Sequence, residues 1–267
     1  MARIITLTTD FGLTDEFVGV IKGVILTRAP AIRIVDLSHT IERHNISRAA
    51  LLISSAYRFF PEDTIHIVVI DPGVGSGRRL ILLQSDNHFF LAPDNGVLSL
   101  LMEKENFQTV YEISCDQYYL SPVSATFHGR DILAPVAAEM AAGLAPEDVG
   151  PVIDPETLQK IKMGRMKIDR GLNTITGEII RIDHFGNLQT NIADSSLNDL
   201  FGEQKSSVKI KMQNTVINGI ESAYMKKNPG EILAIVNSSG YLEIAVCCGH
   251  GATVLGVVPG DTVTVTG

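Results

Sequence analysis

The sequence predicts two domains of different class: an α/β N-terminal domain with a largely parallel sheet, followed by a C-terminal antiparallel β-barrel domain. Three observations predict this. Strand-like and helix-like segments alternate through the first half of the 267 residues. Residues 64–70 form a nearly unbroken β-branched run, as in a strand buried on both faces. Beyond Thr174 the pattern changes to short strands separated by turn dipeptides such as Asn218-Gly219, Pro229-Gly230, Ser239-Gly240 and Pro259-Gly260.

The elements follow in order. Residues 4–9 read as a strand. From Asp15 onward, Phe17, Val18, Ile21, Ile25 and Leu26 recur at helical spacing, with Thr14 or Asp15 placed to cap the helix. Residues 32–37 read as a strand and 46–57 as a helix capped by Asn45. After the 64–70 strand, 80–84 and 88–91 read as a hairpin around Asp86-Asn87. A short helix at 97–102, a strand at 109–113 and a helix from about Asp131 to Ala142 complete the domain; Pro135 fits that helix only in its first turn. Residues 144–173 carry Pro146, Pro151, Pro155, Gly164 and Gly171 and little periodicity. The domains are therefore drawn as 1–160 and 174–267, with 161–173 as linker. Strands are expected at 176–183, 207–211, 214–218, 231–236, 241–246, 252–257 and 262–266.

Composition narrows the function. Apolar residues make up 45% and charged residues 19%, the profile of a folded globular chain. No apolar run approaches the roughly 20 residues needed to span a bilayer. The first residues do not read as a signal peptide, so a cytoplasmic protein is expected. The net charge of −8 and the lack of a basic cluster argue against a nucleic-acid partner. Cys115, Cys247 and Cys248 offer neither a disulfide framework nor a Cys-x-x-Cys zinc pair.

Polar residues gather where predicted strands end, the position at which open α/β sheets bind ligands. Asp71-Pro-Gly-Val-Gly-Ser-Gly-Arg78-Arg79 is glycine-rich, yet no Lys-Ser/Thr follows it and a strand rather than a helix comes next. It is neither a Walker A loop nor a dinucleotide fingerprint. It reads either as a tight structural turn or as a loop folding the Arg78 guanidinium back onto Asp71. His128, in Phe127-His128-Gly129-Arg130-Asp131, fits a structural or a catalytic histidine equally well. Asp10, Asp71, His128, Asp183 and His184 are metal ligands by type, but no His-Glu-x-x-His or His-x-His spacing groups them, and no metal site is assigned. No Gly-x-Ser-x-Gly elbow marks a serine hydrolase.

Taken together, Thr-Thr-Asp-Phe-Gly at 8–12, Asp-Leu-Ser-His at 36–39, Asp-Pro-Gly-Val-Gly at 71–75 with Arg78-Arg79, Ala-Pro-Asp-Asn-Gly at 92–96, Thr-Phe-His-Gly-Arg-Asp at 126–131, Asp-His-Phe-Gly-Asn at 183–187 and Asn-Ser-Ser-Gly-Tyr-Leu-Glu at 237–243 resemble the S-adenosyl-L-methionine (SAM) hydrolases. These are also called SAM hydroxide adenosyltransferases and are relatives of the fluorinase and chlorinase. The resemblance spans nearly the whole chain. It implies hydrolysis of SAM to adenosine and L-methionine without a cofactor. It also implies a homotrimer whose site joins the N-terminal domain of one subunit to the C-terminal domain of the next. It places catalysis on Asp71, Arg78 and His128, and the ribose hydroxyls on Asp10. It places the methionine end on Asp183 and Ser238, and adenine on Asn187 and the backbone from Val246 to Cys248. Glu243 is grouped with the substrate-binding residues by its motif, while Asp94 has no assigned role; Asp15 either helps to position the ribose or caps a helix, and the cap is favoured. The halogenating relatives carry Tyr where this chain has Asp71 and lack the histidine, so water is the expected nucleophile. A halide-using enzyme and a non-catalytic adenosine or SAM sensor are the alternatives. Cys247-Cys248 departs from a segment that is usually polar in the family.

Overall fold

The N-terminal sheet alternates its side chains between two apolar layers. In β3 (Thr64–Val69), Ile65, Ile67 and Val69 face one layer and His66 and Val68 the other, as the two-residue repeat of a strand requires. The computed structural model describes residues 3–85, 87–104 and 107–267. Its chain divides into two units, Met1–Ile161 and Lys162–Gly267.

The first unit is a mixed, largely parallel sheet between helices. β1 (Ile4–Thr9), α1 (Phe17–Arg28), β2 (Arg33–Ser38), α2 (Ile46–Ala56), β3, β4 (Leu80–Ser85), β5 (His88–Pro93), α3 (Ser99–Lys104), β6 (Phe107–Glu112) and α4 (Ala134–Ala142) follow in order. The strand order is β2-β1-β3-β5-β4-β6, with β4 alone antiparallel to its neighbours. Helices α1 and α4 pack on one face, burying Ile21, Ile25, Val136 and Ala137 with Ile5, Leu7 and Ile67. Helices α2 and α3 cover the other, burying Ala49, Ile53 and Leu101 with Val68, Leu83 and Phe90. The chain leaves β1 for β2 on one side and returns to β3 on the other. The carboxyl ends of β1 and β3 therefore border a topological switch point.

Asn45 caps α2 as expected, its Oδ1 accepting the Arg48 N–H at 2.9 Å. The predicted cap of α1 is corrected: Glu16 holds that position with helical dihedrals, and no side chain caps it. The turn runs straight into the helix, which leaves Asp15 outside it. Pro135 does lie in the first turn of α4, preceded by a wide π turn over Gly129–Leu133. The 80–84/88–91 hairpin forms, while its turn residue Asp86 lies outside the described residues. Residues 149–153 exchange backbone hydrogen bonds with β6 and its extension, including Glu112 N–H to Pro151 O at 2.9 Å.

The second unit is a nearly closed antiparallel, barrel-like sheet. β7 (Lys167–Asp169), β8 (Thr174–Ile182), β9 (Leu188–Ala193), α5 (Asp194–Phe201), β10 (Lys209–Met212), β11 (Thr215–Asn218), β12 (Ile232–Val236), β13 (Tyr241–Val246), α6 (Gly251–Leu255) and β14 (Thr262–Thr266) make it up. The order is β11-β10-β14-β8-β9-β13-β12, with β7 also on β8. Thus the segment drawn as linker contains a paired strand. The strand expected at 252–257 is instead helix α6. Its start is capped by His250, whose Nδ1 accepts the Thr253 N–H, and Gly256 ends it in the left-handed region. A run of Ala-Thr-Val-Leu is too short for periodicity to tell helix from strand, and the cap decides. β9 and α5 carried no clear sequence signal. No described helix is long and apolar enough to cross a membrane.

Candidate active site

Asp71 follows β3 and starts the glycine-rich loop. Two turns, Val74 N–H to Asp71 O and Ser76 N–H to Gly73 O, double the chain back. Gly75 has φ +79°, and a Cβ there would lie 2.3 Å from the Ala125 carbonyl oxygen. Only glycine fits. The reversal brings the Arg78 guanidinium onto Asp71: Nε donates to Oδ1 at 2.6 Å and Nη2 to Oδ2. Both side chains are nearly buried, at 10% and 7% exposure. Asn95, from the 92–96 motif, donates Nδ2–H to the Ile70 carbonyl at 2.7 Å and so steadies the strand end.

His128 arrives from the π turn, where Gly129 packs against Val69 of β3. Its Nδ1 lies 3.1 Å from both Nη1 and Nη2 of Arg78. A guanidinium can only donate, so Nδ1 is the acceptor and the neutral ring carries its proton on Nε2. Burial, then the Arg78 charge, hold His128 below the ordinary imidazole value, against the opposing pull of Asp71 and Asp131. Asp131, one turn on, is buried. It binds Arg130 and accepts the Ser124 N–H at 2.8 Å, which ties the 124–131 segment together.

Asp10, at the end of β1, faces the same crevice. Its Oδ2 accepts the His44 N–H at 2.8 Å, which leaves lone pairs on both oxygens. A cleft of about 340 Å³ is lined by Asp10, Asp15, Arg43, His44, Asp71 and His128 with the Phe11, Phe17 and Phe127 rings. Phe127 meets Phe11 and Phe17 edge to face, while Phe11 and Phe17 are tilted to each other, with centroids 5.4–5.8 Å apart. Arg43 and His44 lie outside the residues the motifs single out; the left-handed φ of His44 (+64°) leaves no composition signal.

Arg79 turns away from Arg78. It grips Asp94 and Thr157, while Asp94 Oδ1 accepts the Gln159 N–H, so Asp94 ties residues 157–159 to the sheet.

The second unit carries its own polar cleft. Asp183 holds the 183–187 turn: Oδ1 accepts from Phe185 N–H and Asn187 N–H, and Oδ2 from Asn187 Nδ2–H at 3.2 Å. Gly186 is required there, with φ +84° and the His250 ring where a Cβ would sit. Glu243 is buried on β13. It accepts Tyr224 O–H at 2.6 Å and Asn237 Nδ2–H at 3.0 Å, while Asn237 Oδ1 accepts from Ser239 and Tyr241 N–H. Glu243 thereby shapes the turn that carries Ser238. Burial, then the hydrogen bond and charge of Glu243, raise the Tyr224 hydroxyl far above its usual value, keeping it a donor. Asp183, Tyr224, Ser238 and Glu243 line a cleft of about 330 Å³. Asp183, Asn187, Phe185, Tyr224, Val246 and Cys248 line a second, of about 580 Å³. Tyr224 borders both and was not foreseen. Among the described residues, no three His, Cys, Asp or Glu side chains are grouped as metal ligands would be.

The two units correspond to two known domains. Residues 5–150 match the SAM hydroxide adenosyltransferase N-terminal domain and residues 177–264 its C-terminal domain. The chain belongs to the SAM hydroxide adenosyltransferase family. It is 35% identical over 98% of its length to the (R)-S-adenosyl-L-methionine hydrolase of Salinispora tropica, covering 97% of that protein. A fluorinase of an Actinoplanes species is more distant, at 27% identity over 98% of this chain and 97% of its own. The crystal structure of an uncharacterised conserved protein from Thermotoga maritima superposes with a TM-score of 0.91 at 33% identity, covering 98% of this chain and 100% of that one.

Proposed function

We propose that this chain hydrolyses SAM to adenosine and L-methionine by in-line attack of water on C5′. The observation that carries this reading is the Arg78 guanidinium bridging Asp71 and His128, both of which line the cleft at the switch point. The hydrolases it resembles are named for the (R) sulfonium diastereomer, which is the proposed substrate.

The sulfonium is a good leaving group, so methionine departs without protonation and the reaction calls for no cofactor. The nucleophile is the difficulty. Holding water in line with C5′ supplies up to about 7–11 kcal/mol in ideal cases. Asp71 keeps lone pairs beyond those that Arg78 occupies, and takes the water's proton. The Arg78 charge stabilises the hydroxide character that develops, a role in which one donor is worth about 3–4 kcal/mol. His128, held with Nε2 protonated, donates to the nucleophile's oxygen and aims its lone pair. Asp10 accepts the ribose hydroxyls. On the second unit, Asp183 and Ser238 take the methionine end, and Asn187 with the Val246–Cys248 backbone takes adenine. Glu243 acts through the Ser238 turn. We further propose a cytoplasmic homotrimer in which the two half-sites meet across subunits.

Purified protein incubated separately with the (R) and (S) diastereomers, with chromatography of the products, tests this. Adenosine and methionine from the (R) form are expected. No adenosine from either form would overturn the reading, and a halide-dependent 5′-halo-nucleoside would replace it with the halogenase. Sedimentation at several concentrations checks the trimer.

A further inference from the structure

Cys247 and Cys248 are adjacent in sequence, and in an extended strand their side chains would point to opposite faces. Here the strand has ended. The Gly249 N–H bonds the Val246 carbonyl at 3.0 Å, which makes residues 246–249 a tight turn with the cysteines at its centre. Cys248 has φ +53°, the left-handed region that such a turn normally fills with glycine or asparagine. A cysteine there costs about 1–2 kcal/mol. Strain of this kind at a pocket wall is a pointer to function.

The strained turn places both sulfurs on one side, 4.0 Å apart. Two sulfurs bound to one centre at about 2.3 Å in tetrahedral geometry lie about 3.8 Å apart. The pair is thus set for a shared ligand with little movement. Cys248 is exposed and Cys247 is 1% exposed, and both line the cleft with Asp183, Phe185, Asn187 and Tyr224. Burial, then Cys248 and the Glu231 carboxylate, raise the Cys247 thiol above its ordinary value. The Cys247 thiol therefore holds its proton, and the pair favours an acceptor soft enough to displace it.

We propose that Cys247 and Cys248 form a dithiol site for a single soft, thiophilic centre, trivalent arsenic or a soft metal cation, whose capture blocks the nucleoside pocket; the blocking rests on the SAM-hydrolase function proposed above. With phenylarsine oxide the step balances without oxidation. The arsenic–oxygen bond breaks, two arsenic–sulfur bonds form, and the oxygen leaves as water with both thiol protons. With a metal cation, two protons are released per ion bound.

The test is intact mass after treatment with phenylarsine oxide, and a thiolate-to-metal absorption titration with Cd²⁺ as the second arm. One adduct per chain is expected with at least one probe. It should be retained in Cys115→Ala and lost in both Cys247→Ala and Cys248→Gly. Glycine suits the turn, so the second variant folds if any does. No adduct with either probe, or one that survives either substitution at the turn, overturns the dithiol site. Adenosine affinity of the adduct, by calorimetry, should fall at least tenfold; unchanged affinity overturns the blocking. Failure of the unmodified protein to turn over SAM would count against the hydrolase reading alone, because the mass and absorption measurements need no activity.

Discussion

Arg78 grips both carboxylate oxygens of Asp71 from seven residues away, with Nε donating to Oδ1 at 2.6 Å. Its Nη groups also meet Nδ1 of His128. One planar fork thus sets the position of a carboxylate and the tautomer of an imidazole.

That dual role makes Arg78→Lys non-conservative. Lysine keeps the charge but has no planar fork. Adenosine formation should fall at least about 100-fold, the scale of losing one oriented donor to a developing anion. Adenosine affinity should stay within a few-fold. Product chromatography and calorimetry measure the two. Turnover near that of the unaltered protein would remove Arg78 from the chemistry.

The pH profile should carry the mark of His128. Burial and the Arg78 charge lower its proton affinity in the folded protein. The neutral ring therefore persists below pH 6.5, and the acid limb of activity should lie beneath that value. Arg78→Met removes the opposing cation, so the His128 titration, read by NMR, should move upward. A downward move would contradict the assigned cause.

Asp10→Asn tests ribose binding. The amide loses the charge that strengthens hydrogen bonds to hydroxyls. About 1.5–3 kcal/mol is at stake, or roughly 10- to 100-fold in adenosine affinity. The His44 N–H contact survives through the amide oxygen, so thermal stability should change little.

Gly75→Ala sets a Cβ against the Ala125 carbonyl in a left-handed conformation. A loss of about 1–3 kcal/mol in unfolding free energy is expected. Turnover should fall as well, since the same loop carries Asp71 and Arg78. Unaltered denaturation midpoint and activity would show that the loop tolerates the side chain.

A buried histidine should make the fold acid-sensitive. His66 lies between Thr6 Oγ1, 2.7 Å from its Nδ1, and the His88 ring, and stacks on Phe90. Burial, then His88, lower its pKa from 6.5 to about 3. The unfolded chain therefore takes up a proton near pH 6.5 that the folded one refuses. Stability is full above that value and declines as pH falls toward 3. The cost at pH 5 is about 2 kcal/mol. Denaturation of the unaltered protein and of His66→Gln at pH 7 and 5 checks this, the variant losing less on acidification.

Much of this was legible in the chain. The β-branched run at 64–70 announced a buried central strand because burial on both faces removes the need for polar alternation. Asn45 announced its helix because a cap is a local hydrogen bond. Residues 252–257 misled because Thr-Val-Leu suits either state, and the deciding contacts come from His250 and Gly256. The α1 cap misled because Asp15 is a good cap by type, while the backbone enters the helix at Glu16.

The sequence by itself determined the two-part fold class, the family motifs and the candidate residue types, since periodicity, turn chemistry and caps act over a few positions. Only the tertiary structure decided which of those residues meet. The contacts between Arg78 and His128, between Tyr224 and Glu243, and between Asp10 and the His44 backbone join positions 50, 19 and 34 residues apart. Such distances are closed by sheet order and core packing, which no local pattern encodes. The turn at Cys247-Cys248 belongs to the same category: adjacency was plain in the chain, but the left-handed φ that brings the two thiols to one side was not.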